Sequence, residues 1–309
     1  MKIVITEFMD GAAVDSLRER YTVVYDPALV DRRADLFGLL NDAPALIVRN
    51  RTRVDAEMLA AAPLLRVVGR LGVGLDNIDV PACRVRGIEV IPATGANALA
   101  VAEYVIASIM ALLRGAYLSS AEVAAGKWPR PRLSEGRETA GRTLGLIGFG
   151  GIGQLTARLA HALGMRVVAY DPLLPADAPA WAASGVARRE LDELLAESDA
   201  VSLHVPLTEQ TRGLMDAARI GRMKAEAVLV NTARGGIVDE AALAAALRSG
   251  KLAGAALDVF DHEPLPDGSP LTTAPNLILT PHIGGVTRES NTRVSTMIAA
   301  KVASFLNAA

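Results

Sequence analysis

The sequence of 309 residues has a single cysteine and almost no surplus of charge. Cys83 alone cannot form a disulfide within the chain, which suits a reducing compartment and predicts a cytoplasmic location. The 32 basic residues are nearly balanced by 34 acidic ones, so no surplus of positive charge indicates binding to nucleic acid or to an anionic membrane. We assign no residue to a metal ion.

The chain also lacks an apolar run that is long enough to span a bilayer. The best candidate, Ala98 to Leu113, falls short of the roughly 20 residues that a span requires, and it contains Glu103. We predict a helix there that is buried on most sides and contributes to a subunit interface. The N-terminus, MKIVITEFMD, has neither a hydrophobic segment nor a small-residue cleavage site, so we predict no signal peptide.

Short apolar runs rich in Val, Ile and Leu alternate with helical patterns along the whole chain. Five runs precede the long helix (KIVIT, TVVYD, ALIVR, RVVGR and IEVIPA), and six follow it (TLGLIGFG, MRVVAYD, AVSLHV, AVLVNTA, GAALDV and NLILT). Repeated alternation of strand and helix indicates parallel sheets that are covered by helices on both faces. We therefore predict an α/β protein with two doubly wound, Rossmann-like domains. The final helical pattern is predicted to return to the first domain and make it discontinuous.

Three glycines between two predicted strands form the strongest single motif. Gly148, Gly150 and Gly153 give G-x-G-x-x-G at the start of a helix, and the next strand ends in Asp171, 18 residues after Gly153. These glycines permit a tight turn, close approach of a pyrophosphate and close helix–strand packing, and the helix N-terminus offers N–H groups to phosphates. Asp171 can accept hydrogen bonds from a ribose diol and repels a 2′-phosphate. The motif predicts a site for NAD rather than NADP.

Reactive side chains follow three further strands of the second series. Arg234 lies in VNTARGGIVDE, Asp258 and Glu263 lie in LDVFDHEPLP, and His282 lies in TPHIGG. The carboxyl ends of parallel strands line the ligand crevice of a doubly wound sheet. A histidine, a carboxylate and an arginine beside a nicotinamide suit carbonyl–alcohol interconversion, in which the histidine exchanges the proton and the arginine holds a substrate carboxylate. Position favours His282 over His262 as the catalytic histidine.

The motifs together resemble the D-isomer-specific NAD-dependent 2-hydroxyacid dehydrogenase family. The resemblance runs from the first strand to the final helix and is carried by GRLGVGLDNID, NALAVAEY, GFGGIG, HVPLTEQTRGLM, NTARGGIVDE, ALDVFDHEP and TPHIGG. It implies a catalytic trio of Arg234, Glu263 and His282. It implies cofactor contacts at the glycine motif, at Asp171 and around the nicotinamide, namely at Gly148, Gly150, Gly151, Ile152, Gly153, Asp171, Thr232, Ala233, Asp258, Gly284 and Gly285.

The resemblance also implies that one domain binds the substrate and the other binds NAD. The substrate-binding domain is expected to comprise residues 1–97 and 282–309, and the NAD-binding domain residues 98–281. Members of the family are usually dimers through the cofactor domains, which suits the apolar helix. The family includes NAD-sensing corepressors, so a non-catalytic binding protein is the rival class. The absence of a long appended interaction segment favours an enzyme.

The stretch RNRTRV, which follows the third predicted strand, bears on the substrate. Arg49 and Arg51 share one side of an extended strand, and Thr52 with Asp55 resembles a capping box at a helix start with exposed N–H groups. We predict a second anion site there, whereas the alternative is a solvated basic strand end. The segments GRLGVGLDNID and RNRTRV are most similar to those of sulfolactate dehydrogenases. We therefore expect 3-sulfolactate as the substrate, with phosphoglycerate and glyoxylate/hydroxypyruvate as alternatives. The resemblance implies that the backbone N–H groups of Gly72 and Val73 meet the substrate carboxylate and that Arg49, Asn50 and Asn97 face the substrate. We assign the second anion to Arg49 and Arg51, with Arg70 nearby. The predicted substrate-binding positions are therefore Arg49, Asn50, Arg51, Arg70, Gly72, Val73 and Asn97.

Two further positions carry narrower expectations. Tyr104 stands where many members of the family have histidine after VAE, and we expect a difference in packing only. His204 ends a predicted strand at the crevice rim, which leaves open a contact with the cofactor. The loop around Trp128 is expected to pack at the interface, or alternatively to reach the active site of the partner.

Overall fold

The structure is a computed structural model that describes residues 1–308. Its strands all lie in parallel sheets. In chain order they are β1 (Lys2–Ile5), β2 (Thr22–Tyr25), β3 (Ala45–Val48), β4 (Val67–Arg70), β5 (Glu89–Pro92), β6 (Thr143–Ile147), β7 (Arg166–Tyr170), β8 (Ala187–Arg188), β9 (Ala200–Leu203), β10 (Ala227–Asn231), β11 (Leu252–Leu257) and β12 (Leu277–Leu279).

Helices separate these strands. In chain order they are α1 (Gly11–Arg18), α2 (Arg33–Leu40), α3 (Ala56–Ala60), α4 (Val80–Val85), α5 (Ala98–Arg114), α6 (Ser120–Ala124), α7 (Arg130–Leu133), α8 (Gly151–Ala162), α9 (Pro179–Ser184), α10 (Leu191–Glu197), α11 (Ala217–Arg222), α12 (Glu240–Arg248) and α13 (Arg288–Ala308). Short 3₁₀ helices cover Pro27–Asp31, Ala116–Ser119 and Pro270–Thr273.

The chain divides into two compact units. The first unit comprises Met1–Asn97 and the chain from Val286 onward, and the second comprises Ala98–Gly285. The sequence-based boundaries were 97/98 and 281/282. The assignment of the substrate to the first unit and of NAD to the second stays a prediction.

The first unit contains a five-stranded sheet in the order β2-β1-β3-β4-β5. Side chains alternate between the two faces of a strand, so Ile3 and Ile5 pack against α1 and α13 while Val4 packs against α2, α3 and α4. Cys83 on α4 is fully buried on this second face. The five strands predicted before the long helix are those of this sheet, and the prediction is confirmed.

Helix α13 approaches the first sheet closely at Gly69 in β4. A Cβ atom at Gly69 would lie 2.8 Å from the Cγ2 atoms of both Ile298 and Val302, a distance that real side chains do not reach. The glycine therefore sets how near the helix lies to the sheet. The C-terminal helix supplies part of the core of the first unit, together with Val294 and Leu306.

The second unit contains a seven-stranded sheet in the order β12-β11-β10-β9-β6-β7-β8. Its central strands are buried along their whole length, as parallel strands covered on both faces are. The six runs predicted after the long helix are confirmed as strands, and the predicted α/β class of two doubly wound sheets is confirmed. Strand β8 was missed, because two exposed residues carry no apolar periodicity.

Helix α5 is the long apolar helix of the second unit. Ala102, Val105 and Ile109 are buried, whereas Leu99 and Met110 are exposed. Within the described residues no single helix is long and apolar enough to cross a membrane, although α5 and the segment Ala116–Ala124, bent by 70°, meet the length and composition criteria together.

Candidate active site

The glycine motif forms the turn from β6 into α8. Gly148 has a φ of +94°, and a Cβ atom there would lie 2.5 Å from the carbonyl oxygen of His204. A Cβ atom at Gly153 would lie 2.4 Å from the carbonyl oxygen of Gly148. Both positions therefore require glycine, the first for its positive φ and the second for the close packing of α8 on the turn.

The N-terminus of α8 is built to receive an anion. No side chain caps it, so the N–H groups of its first turn have no intrahelical acceptor and no side-chain acceptor. Cβ atoms at Gly150 and Gly151 would meet nothing within 4 Å, which shows open space beside the backbone of the first turn. Free donors, the positive end of the helix dipole and open space together fit the pyrophosphate of a dinucleotide.

Asp171 follows β7 and is tied to the glycine turn. Its Oδ2 accepts a hydrogen bond from the backbone N–H of Phe149 at 2.8 Å, and its Oδ1 accepts one from the N–H of Leu173 at 3.0 Å. A carboxylate has about four acceptor positions. Two therefore remain for the hydroxyl groups of a ribose, and the protein contacts hold the carboxylate in place.

His282 and Glu263 form a hydrogen-bonded pair after β12 and β11. The Nδ1 atom of His282 lies 2.8 Å from Oε2 of Glu263, and Oε1 of Glu263 accepts the backbone N–H of Phe260 at 3.1 Å. A carboxylate can only accept here, so Nδ1 carries the hydrogen and Nε2 is the nitrogen that can exchange a proton. His282 is 43 % exposed, which leaves the imidazole accessible to a ligand.

The segment that carries His282 is fastened to Asp258, a buried residue at the end of β11. The Oδ1 atom of Asp258 accepts from the hydroxyl of Thr280 at 2.6 Å and from the N–H of Ile283 at 2.8 Å, and Oδ2 accepts from the N–H of Gly284 at 2.7 Å. The carbonyl oxygen of Asp258 accepts from the N–H of His282 at 2.8 Å. These contacts hold His282 at a φ of +57°, which is uncommon for a residue with a side chain. We define residues 280–285 as the histidine loop.

Arg234 lies in a loop after β10 that Asn231 holds from inside. The amide of Asn231, which is buried, donates to the carbonyl of Arg234 at 2.9 Å and accepts from the N–H of Ala233 at 3.0 Å. The guanidinium group donates to the carbonyl of Ala233 at 2.6 Å. The Oγ1 atom of Thr232 is buried and has no hydrogen-bond partner within residues 1–308. An orphaned hydroxyl between the arginine loop and Gly284 fits the contact with nicotinamide that the resemblance implies.

His204 directly follows β9, beside the glycine turn. Its Nε2 atom is buried and finds no hydrogen-bond partner in the described part of the chain. Burial lowers the pKa of its imidazole to about 4, so the ring is neutral at physiological pH. The expected contact between His204 and the cofactor stays a prediction.

In the first unit, Glu7 organises the loop after β3. This carboxylate is 5 % exposed, and it accepts four backbone N–H groups, those of Arg49, Asn50, Arg51 and Thr52, at 2.8 to 3.3 Å. The N–H groups that we expected to be exposed to a ligand are therefore taken by an internal anion. The expected helix start at Thr52 is also wrong, because α3 begins at Ala56 with Asp55 as its N-cap.

The two arginines of this loop have different environments. The guanidinium of Arg49 is half-buried, donates to Oδ1 of Asn291 at 2.8 Å and lies 5.7 Å from the ring centroid of Phe8. Burial lowers the pKa of Arg49, and the charge of Glu7 opposes this shift. The guanidinium of Arg51 is 59 % exposed and forms an ion pair with Asp31. For Arg51 the structure favours the alternative, a solvated basic strand end.

The remaining predicted substrate positions lie at the ends of β4 and before α5. The guanidinium of Arg70 donates to the carbonyl of Leu71 at 3.1 Å and occupies the place that a side chain at Gly72 would take. The N–H of Gly72 donates to the carbonyl of Arg70 at 2.8 Å, which argues against its expected role as a donor to the substrate. Val73 is exposed, and Oδ1 of Asn97 is buried with no hydrogen-bond partner within residues 1–308.

Comparison with known proteins identifies the family. Residues 106–284 match the model of the D-isomer specific 2-hydroxyacid dehydrogenase, NAD binding domain. The chain belongs to this family. It is an NAD-dependent 2-hydroxyacid dehydrogenase, which transfers a hydride between NAD(H) and a small 2-hydroxy or 2-oxo acid. The matches give no support to the corepressor class.

Three relatives illustrate how this dehydrogenase compares with others. It is 58 % identical to the (S)-sulfolactate dehydrogenase of Chromohalobacter salexigens over 95 % of this chain and 94 % of that enzyme. It is 40 % identical to the D-3-phosphoglycerate dehydrogenase of Archaeoglobus fulgidus over 97 % of this chain but only 56 % of that enzyme. The crystal structure of the TT0316 protein from Thermus thermophilus superimposes with a TM-score of 0.88 and 39 % identity, covering 100 % of this chain and 97 % of that one.

Several residues that shape the site of this dehydrogenase were missed from the sequence. Glu7 follows β1, which lies beside β3, so the rule that polar residues cluster at the ends of neighbouring parallel strands would have found it. Asn231 would have been found in the same way. The expectation that Tyr104 differs from histidine in packing only is wrong, because its hydroxyl group lies 2.6 Å from Oγ1 of Thr280.

Proposed function

We propose that the dehydrogenase interconverts 3-sulfolactate and 3-sulfopyruvate. The observation that carries this substrate is the 58 % identity, over nearly the full length of both chains, to an (S)-sulfolactate dehydrogenase. The stereochemistry is consistent with the family. A sulfomethyl group outranks a carboxylate in the naming rules, so the spatial arrangement called D in lactate carries the label S in sulfolactate.

Bound NAD would supply the acceptor for the hydride on C2 of the hydroxy acid. We assign its pyrophosphate to the N-terminus of α8, with Gly150, Gly151 and Ile152, and its adenosine ribose to Asp171. We assign the nicotinamide side to Thr232, Ala233 and the glycines of the histidine loop. Asp258 has one acceptor position left on Oδ2, because Oδ1 already accepts two hydrogen bonds and Oδ2 accepts one. This position suits the amide group of a nicotinamide.

We assign proton transfer to His282. In the oxidation, Nε2 accepts the proton of the C2 hydroxyl group, and in the reduction it returns that proton to the oxygen of the carbonyl. Oε2 of Glu263 accepts a hydrogen bond from Nδ1 at 2.8 Å, which fixes the tautomer and the orientation of the ring. Arg234 is assigned to the substrate carboxylate, since a guanidinium matches the geometry of a carboxylate with two donors.

Recognition of the second anionic group is assigned to Arg49. Its half-buried guanidinium is held by Asn291 and Phe8, so its donors are ordered before a ligand arrives. Pre-ordering reduces the entropy that is lost on binding. Asn50, Arg70, Val73 and Asn97 stay candidate contacts of the first unit. Arg51 is withdrawn from the anion site because Asp31 already neutralises it.

A panel of 2-oxo acids tests the substrate. NADH oxidation would be measured with 3-sulfopyruvate, phosphohydroxypyruvate, hydroxypyruvate and glyoxylate at equal concentrations. A second anion that is bound by a charge-assisted hydrogen bond should raise kcat/KM by about 10- to 150-fold. We expect 3-sulfopyruvate to lead by this margin over glyoxylate, and a preference for glyoxylate would overturn the proposal.

D-3-phosphoglycerate is the second candidate substrate. It is supported by the 40 % identity to the Archaeoglobus enzyme, but this chain spans only about half the length of that relative. A phosphate carries more charge than a sulfonate at neutral pH. A lead of phosphohydroxypyruvate over 3-sulfopyruvate in the same panel would favour this candidate.

We also propose that the dehydrogenase is a homodimer that forms through α5 and the segment after it. Exposed apolar side chains lie there, namely Leu99, Met110, Tyr117, Leu118, Val123 and Trp128. Exposed apolar side chains that are concentrated in one segment of the chain indicate an interaction surface. Light scattering coupled to gel filtration would measure the mass, and a monomer at micromolar concentration would contradict the proposal. Whether Trp128 reaches the partner's active site stays open.

A cytoplasmic location is proposed as well. It is supported by the single cysteine, which suits a reducing compartment. Fractionation of cells that express the protein at its natural level would test it, and recovery with the exported proteins would contradict it.

A further inference from the structure

A chain of three side chains connects helix α5 to the histidine loop. The hydroxyl group of Tyr104 lies 2.6 Å from Oγ1 of Thr280, and that Oγ1 lies 2.6 Å from Oδ1 of Asp258. A carboxylate only accepts, so the hydroxyl of Thr280 must donate to Asp258. Oγ1 of Thr280 therefore accepts from Tyr104, which fixes the direction of both hydrogen bonds.

Asp258 holds the histidine loop in place by hydrogen bonds. Its side chain accepts from Thr280, Ile283 and Gly284, and its carbonyl accepts from His282. The loop thus has its own anchor within the second unit. Tyr104 adds a contact from a different element, a helix whose neighbouring residues Ala102 and Val105 are fully buried.

We propose that Tyr104 is a positioning residue for catalysis, which holds the histidine loop in its reactive arrangement through Thr280 and Asp258. The proposal rests on the assignment of proton transfer to His282. Tyr104 itself touches neither substrate nor NAD in this scheme. Its effect reaches the imidazole through the backbone of the loop, whose residue 282 is held at a φ of +57°.

The state of the phenol is suited to this role. Burial raises the pKa of Tyr104, the charge of Asp258 adds to the rise, and hydrogen bonding with Thr280 and Ser108 opposes it. The hydroxyl group therefore keeps its hydrogen and stays a donor. A phenylalanine at this position would fill the same space but would leave Thr280 without a donor.

The test separates a slower reaction from a smaller fraction of folded enzyme. Single-turnover oxidation of NADH by 3-sulfopyruvate, or by the best oxo acid of the panel, would be followed by stopped flow in the full-length protein. The rate constant reports the chemistry of each active molecule, and the amplitude reports the fraction that is active. NADH deuterated at the transferred position identifies the phase in which the hydride moves.

Tyr104→Phe would be compared with a matched control, Tyr21→Phe. Tyr21 is buried in the first unit, and its partly buried hydroxyl donates to Oδ1 of Asn307 at 2.8 Å. Both variants lose one partly buried, hydrogen-bonded phenol hydroxyl. We expect Tyr104→Phe to lower the rate constant by about 2- to 12-fold, the factor that one hydrogen bond contributes to an equilibrium. Tyr21→Phe should leave the rate constant unchanged.

Variants of Thr280 test the middle residue of the hydrogen-bonded series Tyr104–Thr280–Asp258. Thr280→Val removes the hydroxyl and should slow the hydride step, whereas Thr280→Ser keeps it and should restore the rate. Adding Tyr104→Phe to Thr280→Val should cause no further loss, because the connection is already broken. A Tyr104→Phe rate constant equal to that of wild type, or a loss seen in amplitude alone, would overturn the proposal.

The role of His282 is tested separately by His282→Ala. If that variant retains turnover, the assignment of His282 fails, and the role of Tyr104 fails with it. If His282→Ala is inactive while Tyr104→Phe behaves like Tyr21→Phe, only the positioning role of Tyr104 is refuted.

Discussion

The buried carboxylate of Glu7 offers a sharp test of how the loop after β3 is held. Replacement of Glu7 by glutamine keeps the size of the side chain but turns one oxygen into an amide nitrogen, which donates. Oε1 accepts from Arg49 and Thr52, and Oε2 accepts from Asn50 and Arg51. Whichever oxygen is replaced, two backbone N–H groups lose their acceptor and face another donor.

The size of the effect follows from these contacts. The oxygen of the glutamine will keep the two shorter hydrogen bonds, which come from the N–H groups of Arg49 and Thr52 at 2.8 and 3.0 Å. The hydrogen bonds from Asn50 and Arg51, at 3.3 and 3.1 Å, will be lost. Hydrogen bonds to charged groups contribute about 1.5–3 kcal/mol each, so two would contribute about 3–6 kcal/mol. Both residues are exposed and water can replace part of this. We expect the free energy of unfolding to fall by about 2–4 kcal/mol.

Urea unfolding measured by two probes would test this expectation. Trp128 and Trp181, the two tryptophans of the chain, both lie in the second unit, so tryptophan fluorescence reports that unit while circular dichroism reports both. The circular dichroism midpoint should fall by roughly 1–2 M, for a slope of about 2 kcal/mol per M. The fluorescence midpoint should change less.

Glu57→Gln is the matched control for Glu7→Gln. Glu57 is 70 % exposed and pairs with Arg33, and an exposed ion pair contributes at most about 1 kcal/mol. Glu7→Gln should also raise KM for 3-sulfopyruvate, because the loop that carries Arg49 loosens. If Glu7→Gln is as stable as Glu57→Gln, the four hydrogen bonds do not hold this loop and the reasoning is refuted.

Four further variants test the assigned roles. His282→Ala should bind NADH normally, as measured by fluorescence titration, and lose about 10²- to 10⁴-fold in kcat, and near-normal turnover would remove it from the mechanism. Asp171→Ala should raise KM for NADH and reduce the preference of the enzyme for NADH over NADPH. If the wild-type enzyme already prefers NADPH, the cofactor is wrongly assigned. Arg49→Ala should lower kcat/KM for 3-sulfopyruvate about 10- to 150-fold more than for glyoxylate. Arg51→Ala should stay near wild type, since Asp31 neutralises that side chain, and an equal loss in both arginine variants would contradict the distinction.

Most of the fold was predictable from the sequence because every strand except β8 carries its own signal. Runs such as ALIV and AVLVN are buried along their whole length, and an apolar run between turn residues is read without knowledge of its neighbours. The glycine turn was predictable for a related reason, since each of its glycines has a local task. Strand β8, with two exposed residues, had no such signal.

The sequence could not predict contacts between side chains that are far apart in the chain. Tyr104 and Thr280 are separated by 176 positions, and Arg49 and Asn291 by 242. Residues two positions apart share one side of an extended strand, and we applied this rule to Arg49 and Arg51. The rule does not hold there, because β3 ends at Val48. The competing partner, Asp31, lies in a separate segment, so only the folded chain reveals which arginine is neutralised.

The order of the elements along the chain has a consequence for synthesis on the ribosome. Helix α13, which shares one face of the first sheet with α1 and packs on Gly69, is made only after the 188 residues of the second unit. At about 5–20 residues per second, β1 to β5 wait roughly 10–40 s for this helix, and until then α1 alone covers Ile3, Ile5 and Val67 on that face. The second unit, in contrast, is continuous and can fold as soon as it emerges. The first sheet is therefore the part of the nascent protein that most needs protection from aggregation.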